Sequence, residues 1–139
     1  MGGSSAGMPT PVGCYDYEAF DPMTVSFAAD VMPIFANRCA SCHDDPSASV
    51  YYGADAAVVY DKALNGTPKQ APHLSFVVPN EPLVSYMLAK VEYEDPGGTC
   101  SLVQCSEPGC DLFAPPAGML PESELAVLRS WVMTGAAND

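Results

Sequence analysis

Positive charge is scarce in this chain: five lysines and arginines stand against seventeen aspartates and glutamates, for a formal net charge of -12 at pH 7. Nucleic acid and anionic membrane surfaces would be repelled over the screening length, so neither is expected as a partner. Long apolar runs are missing too. No segment reaches the roughly 18 residues of a membrane span, and residues 1–11 lack the basic start and hydrophobic middle of an export signal. There is no internal repeat, and no convincing pair of long alternating strands beyond a short extended piece at residues 75–78. What remains fits one domain: 139 residues, with 14 prolines, 11 glycines and only 16% charged residues, describe a small body with much loop. We divide the chain into a flexible N-terminal arm, residues 1–23, and a single domain over residues 24–139.

The most specific pattern is Cys39-Ala40-Ser41-Cys42-His43, a C-x-x-C-H sequence. Two thiols about one helical turn apart can reach the two vinyl edges of one porphyrin, and the adjacent histidine can ligate its iron. The cofactor expected is therefore one covalent haem c, held by Cys39, Cys42 and His43. Other readings are a thioredoxin-like redox pair, half of a zinc site, or chance on a cysteine-rich loop. The first wants a βαβ setting and the second another ligand pair; Cys105 and Cys110 are a poor match for it, with no histidine close behind.

Removing the two haem thiols leaves Cys14, Cys100, Cys105 and Cys110, an even number that allows two disulfides in any of three pairings. Together with haem attachment, which generally takes place outside the bacterial cytoplasm, this points to an oxidising compartment, periplasmic or extracellular. The chain then reads as a mature form whose export signal is missing. A basic redox partner protein would be steered toward so acidic a surface, although the carboxylates are scattered and also serve solubility.

Helical signals are short and few. Asp30 is expected to cap a first helix with Pro33 in its first turn and Val31, Ile34 and Phe35 on its buried face, delivering the C-x-x-C-H motif at its end. A second helix is expected at residues 54–64, stopped by a left-handed cap at Asn65-Gly66. Asn80 is expected to cap a third helix carrying Leu83, Val84, Met87, Leu88 and Val91. Residues 92–116 read as a long loop containing Cys100, Cys105 and Cys110. The last helix should begin at Pro121, bury Leu125, Leu128, Trp131 and Val132, and close at Gly135.

In this order the sequence resembles the c-type cytochromes, in particular the monohaem domains common in exported proteins of myxobacteria and planctomycetes. The resemblance rests on residues 25–35 before the C-x-x-C-H motif, Val77-Val78-Pro79-Asn80-Glu81-Pro82 with Ser85 and Lys90, Pro115-Pro116-Ala117-Gly118, and Leu128-Arg129-Ser130-Trp131-Val132 with Gly135-Ala136. It implies an all-α, cytochrome c-like fold, about four short helices around one covalently bound haem, with a long cysteine-rich loop. It also implies one-electron transfer with a methionine opposite the histidine.

One position departs from the family pattern. Ala114 stands directly before Pro115-Pro116-Ala117-Gly118, where the resemblance leads us to expect that methionine. Met119, in the same loop, is the first candidate for the distal ligand, with a core methionine beside Leu120 as its alternative. His73 is the second candidate. Met87 and Met133 fall at core-like spacing. A vacant distal site would instead suit small-ligand binding or weak peroxidase activity, although a dedicated peroxidase needs distal acid–base groups and this chain has only two histidines. A carrier is therefore favoured over an enzyme, and a haem-bearing interaction module within a larger exported complex is a third class.

Overall fold

Pro33 decides how the first helix begins. In a regular helix its ring would strike the carbonyl four residues earlier. The chain instead enters α1, Met32–Arg38, through one wide π turn at Phe27–Val31, which gives that ring room. Ser26, rather than Asp30, is the cap. Its hydroxyl accepts from the Ala29 amide at 3.1 Å, while the Asp30 carboxylate reaches back to accept from the Ser26 amide at 2.7 Å. The expected capping residue is thus the reciprocal member of the cap, four residues inside it. Asp139 joins them, its carboxylate accepting from the Phe27 amide at 3.0 Å.

The structure, a computed structural model, describes residues 15–48, 50–68, 72–92, 115 and 118–139. Cys14, Cys100, Cys105, Cys110, Ala114 and most of the loop expected at residues 92–116 lie outside the described residues. Among those described there are four α-helices and no strand, so the all-α expectation holds. No described helix is long and apolar enough to cross a membrane.

Helix α2, Ala56–Asn65, is capped by Asp55, whose carboxylate accepts from the Val58 amide at 3.4 Å. Gly66 ends it, but not in the left-handed conformation expected: its φ of -78° and ψ of 162° are extended. Glycine is required there for space, since a Cβ would stand 2.6 Å from the Lys62 carbonyl oxygen.

The expected third helix is split. Asn80 does not cap it; with φ of 67° it is the left-handed corner of a turn in which the Glu81 amide donates to the Val78 carbonyl at 3.0 Å. Asparagine tolerates that conformation better than most residues. A 3-10 turn at Pro82–Val84 follows, and only then α3, Tyr86–Glu92. Buried Ser85 holds the junction, accepting from the Val78 amide and donating to the Glu81 carbonyl, both at 2.9 Å. The extended piece at residues 75–78 pairs with helix ends: the Phe76 carbonyl accepts from Met87 and the Val77 amide donates to Ala63, each at 2.9 Å.

Helix α4, Glu122–Met133, closes as expected on Gly135, with φ of 109°, and the Ala136 amide donates back to the Trp131 carbonyl at 2.7 Å. The π turn and α3 both pack on α4. At the centre Phe27 stacks on Trp131 at 5.2 Å between ring centroids, while Phe35 and Tyr60 approach Trp131 edge-on. Phe27, Phe35 and Trp131 are each 1% exposed.

The arm also reaches the body. Tyr17 is buried and donates to the Glu92 carboxylate, and Tyr15 lies under the Arg129 guanidinium, 3.6 Å from ring centroid to cation. Arg129 and Glu92 form an ion pair with side chains 4% and 2% exposed, and Glu122 binds Arg129 from the rim. Removing one member of a buried pair strands the other charge, at a cost of about 3–5 kcal/mol. Glu92→Gln, which keeps shape but loses charge, should therefore lower unfolding free energy by about 3 kcal/mol in urea titration. Glu122→Gln, at the exposed rim, should cost under about 1 kcal/mol.

Candidate functional site

Beyond Arg38 the helix does not run on; it curls. The Cys39 and Ala40 amides both donate to the Phe35 carbonyl at 2.9 Å, and the Cys42 and His43 amides then donate to the Cys39 carbonyl at 3.2 and 3.0 Å. These bonds hold the whole C-x-x-C-H sequence in one tight turn at the end of α1, as the sequence predicts. Arg38 ties the turn to α4 through a bidentate pair with Glu124, both bonds at 2.9 Å. That pair is exposed to solvent, which screens it, so it adds little to stability.

Both thiols are unpaired. Cys39 is half-buried and packs on the core, whereas Cys42 is exposed. Burial, with a smaller contribution from Cys42, pushes the Cys39 thiol up to about 11. His43 is an exposed residue, but one edge of its imidazole is covered. Tyr52 meets it edge-on, with ring centroids 5.9 Å apart and planes at 85°, and the Tyr52 amide donates to the His43 carbonyl at 2.7 Å. That partial burial, reinforced by the positive charge of Lys90, lowers the His43 pKa. The shift favours the neutral ring, the form in which an imidazole nitrogen binds a metal.

The distal candidates stand apart from the core. Met119 is 55% exposed although its neighbour Leu120 is 4% exposed, so the core-methionine alternative for Met119 is not what the fold adopts. His73 is exposed on the turn between α2 and α3. Met87 is buried, and Met133 packs against the core, as their spacing predicts. Cys105 and Cys110 lie outside the described residues; among those described, no group of three histidine, cysteine or acidic side chains is arranged to hold a metal ion.

A cleft beside Tyr52, lined by Val50, Tyr51, Lys62, Ala63 and Phe76, has a cavity volume of only about 10 Å³, against the roughly 300 Å³ at which ligand pockets begin. A porphyrin would not fit within it. Two thiols free of disulfides, one half-buried and one exposed, and an imidazole on one tight turn are a donor set that fits such a group. Tyr52 carries no sequence signal of its own, because only the fold brings it against His43.

Comparison with protein-family models gave no match for this chain, and neither did comparison with curated proteins or with solved structures.

In chain prepared without haem, Cys42 should react with iodoacetamide well before Cys39 at pH 8, as read by peptide mass spectrometry. The sign is fixed by burial: the buried thiol stays protonated in the folded state and ionises only as pH approaches about 11. Folding stability contributed by this neutral thiol is complete below pH 9 and is lost between pH 9 and 11.

Proposed function

We propose that this chain is a c-type cytochrome: one haem c is held by thioether bonds from Cys39 and Cys42, its iron is bound by His43, and the protein carries single electrons. The observation that supports this reading best is the C-x-x-C-H turn, which holds two thiols free of disulfides and an imidazole together. Bound there, the haem iron supplies the one-electron exchange between ferric and ferrous states. The chain's own part is to hold and shield. The turn bonded to the Phe35 and Cys39 carbonyls fixes the spacing of the three attachment residues. The core behind Cys39 keeps water from one side of the turn.

Met119 is our candidate for the distal ligand. A thioether more than half exposed beside a buried leucine is available to a group that covers it. Sulfur opposite histidine raises the reduction potential relative to two histidines. Exposed Asp44 and Asp45, directly after His43, put negative charge beside the attachment turn, which suits docking by a basic redox partner. The site chemistry implies an exported protein, periplasmic or extracellular.

The test is spectroscopic. Purified from a host able to attach haem, the protein should give a one-haem pyridine haemochrome spectrum that survives denaturation, and Cys39→Ser with Cys42→Ser should abolish covalent attachment. The ferric protein should show the weak near-infrared band of sulfur ligation, lost in Met119→Ala. A high-spin ferric spectrum would instead replace the carrier by a small-ligand binder, and a low-spin spectrum without the band would favour His73.

A further inference from the structure

We propose that Tyr52 is the positioning residue for the His43 imidazole, fixing the direction in which its ring plane points. An imidazole on an exposed turn is ordinarily free to rotate about two side-chain bonds, and ordering it costs entropy. Here two contacts from one residue remove that freedom. The Tyr52 amide holds the His43 carbonyl at 2.7 Å, which fixes the backbone, and the Tyr52 ring meets the imidazole edge-on at 85°, which restricts its rotation. Tyr52 is itself anchored: its ring lies 4.6 Å from that of Phe35 on α1, and Phe35 approaches Trp131 of α4 at 6.5 Å. The imidazole is thus the outer end of an aromatic series that begins in the core. Second contacts of this kind orient a metal ligand and tune the metal it binds.

The inference rests on the reading of His43 as the iron ligand, and the experiment separates the two. Electron paramagnetic resonance of the ferric protein reports the orientation of the axial imidazole plane through its g-values. Tyr52→Phe, which keeps the ring edge, should reproduce the wild-type g-values and potential. Tyr52→Leu, which removes the ring but not the amide bond, should shift the largest g-value and move the potential, with haem content unchanged. Unaltered g-values in Tyr52→Leu would overturn the proposal. So would g-values in Tyr52→Phe displaced from wild type, a result that decides the matter even if Tyr52→Leu does not fold. If the purified chain carries no haem, the cytochrome reading fails. Nuclear Overhauser contacts between the Tyr52 and His43 ring protons then decide whether the positioning contact stands, their absence overturning it.

Discussion

The packing of Trp131 is the constraint on which the other elements depend. Its ring takes Phe27 on one face and the edges of Phe35 and Tyr60 on others, so the π turn, α1 and α2 all meet α4 through one side chain. Each such aromatic contact adds about 0.5–1.5 kcal/mol beyond the area it buries. Its indole nitrogen is not left unsatisfied: it donates to the Ala137 carbonyl at 2.9 Å, and the Tyr60 hydroxyl donates to Ala136 at 2.7 Å. The left-handed corner at Gly135 and Ala136 is what turns those carbonyls back toward the helix. Backbone conformation at the end of α4 and the aromatic centre are therefore one arrangement.

Much of this was legible in the sequence. Apolar spacing identified the buried faces of α1 and α4, glycine identified the end of α4, and the C-x-x-C-H turn follows α1 as expected. The misreadings share a physical cause. Asp30, Asn80 and Gly66 are residue types favoured at helix ends, but each can serve a boundary in more than one way. Asp30 serves from inside the cap, Asn80 in a preceding turn, and Gly66 by yielding space rather than by left-handed backbone. Tyr52 was not legible at all as a partner of His43, because a ring contact across nine residues of irregular chain leaves no periodicity to read.

The shortage of cations shapes the surface as well as the composition. Arg129 is used inside, against Glu92; Arg38 is used to tie the C-x-x-C-H turn to Glu124; Lys62 donates to the Ala48 carbonyl at 2.7 Å. Lys90 lies 5.8 Å from the Tyr86 ring centroid, toward His43. Structural duties thus occupy basic residues that would otherwise offset the acidic ones outside. A chain at -12, with the cations among its described residues so committed, presents a field that favours positively charged partners and slows like-charged ones, most strongly at low ionic strength.

The same economy bears on the proposed cofactor. Hydrophobic groups left outside are uncommon here: Met23 and Met119 are the large apolar side chains exposed among the described residues. The tight turn also leaves Cys42 and His43 exposed, although its other thiol is packed inward on the core. Met119, 55% exposed, forgoes part of the roughly 1.5–3 kcal/mol that full burial of such a side chain returns. On the proposed reading, Cys42 and His43 are the groups that the exposed edge of the turn offers to a haem, while Cys39 ties that edge to the core.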